Sequence, residues 1–191
     1  MIPEPLQLHI RRLVPEFHIP LAAMAPFLST RVVKKETLLL EEGQPCTHIH
    51  FVNKGCLYLF YHQDQRKEVI HFALENWWLT DYKTFCDEGT AVYAIAALED
   101  SEITSISRND YEQLLLRFPL LALYFNKIHE RAYGAALFKQ KTYATLTKAD
   151  FYRYFRTTYP AILQRIPDPI FASYMGVSTE ELCTIREAFI S

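Results

Sequence analysis

The sequence predicts an α+β protein. Residues 1–118 form an antiparallel, jelly-roll-like β-roll with flanking helices, 119–146 one long helix, and 147–191 a small helical domain ending in a helix-turn-helix. Three observations predict this. Short apolar runs separated by turn residues recur from about residue 31 to 107. A helical period then continues for about 25 residues from Leu120. Finally, Phe171 to Arg186 has the residue order of two helices joined by a tight turn.

The strands come first. Thr37 to Leu40 is an apolar run closed by Glu42-Gly43, and Ile49 to Val52 is closed by Asn53-Lys54-Gly55. Cys56 to His62 mixes aromatic and apolar residues, turns at Gln63-Asp64-Gln65, and returns over Val69 to Ala73. Tyr93 to Ala97 and Ile103 to Ser107 complete the set. Many short strands at this spacing fit a pair of sheets closed into a roll.

Helix follows. Asn109 with Glu112 predicts a capping box for a helix that stops at Phe118-Pro119. Pro119 suits a first helical position. Leu121, Tyr124, Phe125, Ile128, Ala132, Ala135 and Ala136 then recur at helical spacing to about Leu146. A helix this long between two modules is a natural dimerisation element. Breaks at Tyr159-Pro160 and Pro167-Asp168-Pro169 divide the rest.

The last motif carries the functional signal. Ala172 is small enough for two helices to approach closely, and Gly176 supplies the left-handed backbone that a turn after a helix needs. Ser178 caps the second helix, with Glu181 three residues on to complete a capping box. Leu182, Ile185 and Phe189 pack that helix down. The second helix of such a unit enters a DNA major groove. Its outward positions here are Ser178, Thr179, Glu180, Glu181, Cys183, Thr184 and Arg186, an acidic set for that task.

Composition sets the outer limits. Half of the 191 residues are hydrophobic and only 5 are glycine, so a packed core forms without staples. The 4 cysteines, at 46, 56, 86 and 183, form no C-x-x-C pair, which fits free thiols in a reducing cytoplasm. The N-terminus has no charged-then-apolar leader pattern. Apolar runs reach about eight residues, well short of the roughly 18 a membrane span needs. Residues 120–191 carry nine Lys and Arg against six Asp and Glu, net +3, whereas residues 1–119 carry 11 against 16, net −5. The asymmetry points toward a nucleic-acid contact in the C-terminal part.

Together, Leu39-Leu40-Glu41-Glu42-Gly43, Ile49 to Gly55, Ala97-Leu98-Glu99-Asp100 and Phe171 to Arg186 give the chain an order of motifs that resembles the Crp/Fnr family of transcriptional regulators. The resemblance covers nearly the whole chain. It implies a β-roll of the cyclic-nucleotide-binding type, a long dimerisation helix and a C-terminal helix-turn-helix that reads a palindromic DNA site as a homodimer. The few residues after Phe189 leave no room for a full wing hairpin, which looks like the Bacteroidetes-type branch of the family. In members that bind cyclic nucleotides, a Gly-Glu-Leu segment takes the ribose and an Arg-Ser or Arg-Thr pair takes the phosphate. Thr80-Asp81-Tyr82 stands where the first would lie and Thr90-Ala91-Val92 where the second would. Asp81 keeps an acceptor for a hydroxyl, and Lys83 offers a point charge without an arginine's fork geometry. The expectation is a degenerate pocket that does not answer to cyclic AMP and takes another small molecule or none. Trp77, Trp78, Tyr82 and Phe85 cluster here as the walls of an aromatic cavity or as core. In the second helix, Glu181, Cys183 and Thr184 replace the Thr, Ser and Arg common in relatives. Lys148, Arg153, Arg156 and Arg165, just upstream, are the candidate backbone contacts.

Other chemistries find less support. His48 and His50 share a strand face, with His62 and His71 on neighbouring strands, but the glutamate and glycines of a cupin metal site are missing. No cysteine precedes Cys46 to build an Fnr-type cluster, and no nucleophile–base arrangement or Gly-rich phosphate loop stands out. The expectation is a non-enzymatic regulator with no metal and no cofactor. The alternative is a ligand- or protein-binding module whose helix-turn-helix no longer binds DNA specifically.

Overall fold

The computed structural model describes residues 2–18 and 20–189. The chain folds as two units: residues 1–61 with 71–129, and residues 62–70 with 130–191.

The first unit opens with α1 (Glu4–Leu13), whose buried Leu6, Ile10 and Leu13 lie on one helical stripe, and a short 3₁₀ helix (Leu21–Phe27). Among the described residues eight strands follow: β1 (Ser29–Val33), β2 (Leu38–Leu40), β3 (His48–Lys54), β4 (Leu57–Gln63), β5 (Arg66–Ala73), β6 (Trp78–Leu79), β7 (Ala94–Ala97) and β8 (Ser101–Ser107). They make two four-stranded sheets, in the orders β1-β8-β3-β6 and β2-β7-β4-β5. This is the antiparallel roll that the run of short strands predicts. Both faces of β3 are covered, so Ile49 to Asn53 are all buried rather than alternating. Gly55 turns the chain from β3 to β4 at φ +101°, and a Cβ there would lie 2.2 Å from Ser101 Oγ. No side chain fits. Asp64 and Gln65, at φ 49° and 63°, give the β4–β5 hairpin its two left-handed central residues.

Helix α2 (Tyr82–Asp87) lies between β6 and β7, and α3 (Arg108–Arg117) follows β8. The cap of α3 corrects the sequence expectation. Ser107, not Asn109, is the N-cap; its hydroxyl accepts from the Asp110 N–H at 3.1 Å and donates to Asp110 Oδ2 at 2.6 Å. A serine ending β8 in extended conformation can fold its side chain over the first turn, and Glu112 instead pairs with Arg108 at 2.8 Å.

The long helix, α4 (Leu120–Thr145), has 26 residues, and the division between units falls within it. Leu121, Tyr124 and Phe125 are buried in the first unit. The second unit continues with α5 (Lys148–Thr158), α6 (Pro160–Leu163), α7 (Asp168–Met175) and α8 (Thr179–Glu187). Its core is aromatic: Phe151, Tyr152, Phe155 and Phe171 are buried, with the Phe155 and Phe171 rings 4.9 Å apart. Prolines 160, 167 and 169 set the breaks. Among the described residues no helix is long and apolar enough to cross a membrane.

Candidate effector cassette and nucleic-acid interface

The two segments matched to the nucleotide cassette do face each other, and their polar groups bond to each other and to neighbouring strands and loops. Asp81 is buried and is the N-cap of α2: Oδ1 accepts from the Thr84 N–H at 3.5 Å and Oδ2 from the Val92 N–H at 3.0 Å. Its carboxylate therefore takes up backbone donors on both sides of the cassette. Thr80 donates to the His48 carbonyl at 2.8 Å and lies 3.3 Å from the buried Cys46 thiol, whose pKa burial pushes up. Ala91 is buried and bonded to Gln44, Thr90 bridges to Pro45, and Val92 is exposed. Lys83 points to solvent and pairs with Asp87 at 2.5 Å, one helical turn on. At the other end of α2, Arg108 donates to the Phe85 and Cys86 carbonyls, the orphan acceptors of a helix C-terminus. Sequence reasoning missed this arginine because it lies in another element, 22 residues on.

Tyr82 packs against His129 of α4, with ring centroids 4.2 Å apart at a tilt of 46° and its hydroxyl 3.4 Å from Nδ1. Burial raises the Tyr82 pKa and lowers that of His129. Nothing in the sequence marks this link, since the partners are 47 residues apart. The aromatic group does not line one cavity. Phe85 is fully buried against Tyr111, and Trp78 donates to the buried Tyr124 hydroxyl at 2.8 Å. Trp77 lies nearer the surface against His71. A cavity between α1, α3 and α4, lined by residues such as Leu6, Ile10, Met24 and Tyr124, has about 10 Å³, the space of a single water.

His48 and His50 stack in parallel, 6.2 Å apart. Burial, then the neighbouring His48, lowers the His50 pKa to about 3, and its Nδ1 bonds Ser105 Oγ at 2.8 Å. Among the described residues no group of three or more His, Cys, Asp or Glu is placed to hold a metal ion.

The second unit builds the candidate nucleic-acid interface. α7 ends at Gly176 with φ +66°, as the sequence predicts, and the Val177 N–H returns to the Ala172 carbonyl at 3.1 Å. Ser178 caps α8, its hydroxyl accepting from the Glu181 N–H at 3.1 Å. The acid that faces back to this hydroxyl is Glu180; its own N–H and Ser178 hold its carboxyl below the usual range. Leu182 is fully buried, Ala172 is buried, and Phe189 stacks on Tyr152 at 5.6 Å. Ser178, Glu180, Glu181, Cys183 and Thr184 are exposed, with Thr179 half-exposed. The outer face of α8 is thus acidic.

Arg186, the lone basic residue of α8, turns back onto α7. It grips Asp168 with two hydrogen bonds, 2.6 and 3.0 Å. Upstream, Lys148 donates to the Met175 carbonyl at 2.5 Å, while Arg153 pairs with Asp150 at 3.1 Å and lies over the Phe189 ring. Arg156 lines an open cleft of about 370 Å³ with Tyr152, Gln164 and Asp168, and Arg165 is half-buried.

Residues 30–118 match the sequence pattern of the cyclic nucleotide-binding domain. No curated protein matches the chain in sequence. Among solved structures, a protein described as a Crp/Fnr-family transcriptional regulator from Eubacterium rectale superposes with TM-score 0.74 at 16% identity, over 93% of this chain and 85% of that one. The chain has the Crp/Fnr fold. The c-di-GMP-responsive global regulator CLP of Xanthomonas campestris gives TM-score 0.70 at 16% identity, over 88% and 91% of the two chains. FixK2 of Bradyrhizobium japonicum gives 0.68 at 12% identity, over 84% and 83%. Within this fold, α2 and the loop to Val92 occupy the stretch read as the cassette, and α7 with α8 the stretch read as the helix-turn-helix.

Proposed function

We propose that the protein is a Crp/Fnr-type transcriptional regulator that acts by binding rather than catalysis: a β-roll sensor over 1–118, a dimer helix over 119–146 and a DNA-reading module over 147–191. One observation carries the reading: α8 follows a left-handed Gly176 turn, is capped by Ser178, and leaves Ser178, Glu180, Glu181, Cys183 and Thr184 exposed. Ser178, Thr179, Glu180, Glu181, Cys183 and Thr184 face the DNA, and Arg186 joins them when its pair with Asp168 opens. A glutamate on this face accepts from cytosine N4, while Arg156 and Arg165 supply phosphate contacts, joined by Lys148 and Arg153 when their bonds to the Met175 carbonyl and to Asp150 open. The homodimer reading is supported by α4, where Tyr133, Leu137 and Phe138 are 69%, 49% and 51% exposed amid Ala132, Gly134, Ala135 and Ala136. Residues 132–138 make two turns that are apolar on every side; such a stretch needs a partner, and a second copy of α4 meets that need. A two-fold protein reads a palindromic site. The setting is cytoplasmic, without membrane attachment.

Thr80, Asp81, Tyr82, Lys83, Thr90, Ala91 and Val92 are the remnant of an effector pocket that does not take cyclic AMP. The commitment of Asp81 to Thr84 and Val92, and of Lys83 to Asp87, supports this. Any effector is a different small molecule.

The test is selection from fragmented genomic DNA of the source at low salt, followed by salt titration. A regulator enriches a two-fold symmetric site, and log Kd rises with log salt at a slope of roughly 0.9 per phosphate contacted. Absence of enrichment, with a shallow slope, refutes the reading. Submillimolar cyclic AMP or cyclic GMP binding by calorimetry refutes the view of the pocket. A second reading, a ligand- or protein-binding module with a degenerate helix-turn-helix, draws on the acidic α8 face and the Arg186–Asp168 pair.

A further inference from the structure

The tip of the β4–β5 hairpin belongs to the helical unit, and one side chain fastens it there. Ser173, on α7, accepts a hydrogen bond from the Val69 N–H at 2.8 Å and donates to the Lys67 carbonyl at 2.6 Å. The C=O of one residue and the N–H two residues on point to the same side of a strand. The Ser173 hydroxyl therefore bonds β5 as a neighbouring strand would, using both its donor and its acceptor. β5 is an outer strand of its sheet. One residue on, Lys139 donates to the Ile70 carbonyl, with its ammonium 4.2 Å from the Tyr174 ring centre and 5.2 Å from that of Tyr143. The end of α7 is held too: Tyr143 donates to the Tyr174 carbonyl and Lys148 to that of Met175. α7 is thus gripped at its middle by β5 and at its C-terminus by α4 and α5. Only three residues separate α8 from the end of α7, so α8 inherits the direction of α7.

We propose that the outer edge of β5 is a brace for α7: through Ser173 it fixes the direction of α8 and so presets the face of α8 that meets DNA. The brace itself stands on hydrogen bonds in the helical unit; its consequence for DNA rests on the function proposed above. Releasing it leaves α7 held only at its C-terminus, so α7 and α8 loosen as a pair, and DNA binding must then reorder them at a cost in affinity.

The experiment is amide hydrogen exchange on the full-length protein as wild type, Ser173→Ala, Ser173→Thr and Lys139→Met, with DNA affinity measured on the same samples. Ser173→Ala should raise exchange at the Val69 amide, and through α7 and α8, by on the order of fivefold, the effect of one hydrogen bond. Ser173→Thr keeps the hydroxyl and should stay near wild type; Lys139→Met should move the same amides as Ser173→Ala from the other contact. Faster exchange at Val69 with α7 and α8 unchanged overturns the brace, as does an unchanged Val69 amide. Ser173→Ala should also weaken DNA binding by about fivefold; altered exchange with equal affinity overturns the link to DNA. A wild type that binds no DNA defeats the proposed function and leaves exchange to decide the brace.

Discussion

Replacing Asp81 by alanine tests whether the cassette is a ligand site or a piece of internal scaffolding. The carboxylate is 4% exposed and bonds two backbone N–H groups, of Thr84 and Val92. Losing an N-cap costs about 1 kcal/mol. The second loss strands a donor, at about 1–3 kcal/mol when water is excluded. Val92 is an exposed residue, so water recovers part of that second loss and the lower end of the range applies. The expected destabilisation of the first unit is therefore about 2 kcal/mol. Asp81→Asn, which keeps one acceptor, should lose about half as much. Urea denaturation followed by Trp77 and Trp78 fluorescence reads both variants through the shift in midpoint at constant slope. A loss below about 0.5 kcal/mol for Asp81→Ala would refute the reasoning, because no buried double acceptor is that cheap to remove.

Three further predictions concern the helical unit. Asp168→Asn releases Arg186 in both protomers, and the salt slope of DNA binding should steepen by about 1.8 as two more cations reach phosphate, roughly 0.9 for each; an unchanged slope means Arg186 was already on the DNA. Leu137→Glu should convert dimer to monomer in sedimentation equilibrium, since it places a charge amid the exposed apolar stretch of α4; a dimer that persists would move the interface elsewhere. Lys139 gives the pH dependence. Burial lowers its pKa from 10.5 to about 8, so the unfolded chain binds the extra proton between those values and stability rises with pH across that window. The groups facing it are the Tyr143 and Tyr174 rings and the Ile70 carbonyl. From pH 7.5 to 9.5 the wild type should gain about 2 kcal/mol relative to Lys139→Met, read from denaturation midpoints. Equal pH profiles for the two proteins would remove Lys139 from the account.

Elements with a strong local signal were legible in the sequence. The runs at Ile49 to Val52 and Cys56 to His62 became β3 and β4, and the turn at Asp64-Gln65 became the hairpin. Weak or short elements were not. β1 shows four exposed residues before one buried one, β6 has two residues, and α2 has six. None is long enough for a period to emerge. Asn109 and Glu112 offered a capping box by spacing alone, but Ser107 was better placed once β8 had ended in extended conformation.

The cassette divides along the same line. That Ala91 and Val92 stand where a phosphate-binding arginine pair would be is a property of the sequence. That Asp81 is spent on Thr84 and Val92, and Arg108 on the end of α2, is not. In the second unit, the chain by itself determined the Gly176 turn, the Ser178 cap and the buried Leu182, because each depends on neighbours within one or two helical turns. Only the tertiary structure decided that Arg186 pairs with Asp168, that Tyr82 meets His129, and that Ser173 joins a strand 104 residues away. Hydrogen bonds and ion pairs of that kind carry no periodic trace in the sequence. They form where packing of the apolar stripes happens to leave a donor beside an acceptor, and those choices set what the outer face of α8 has left to offer.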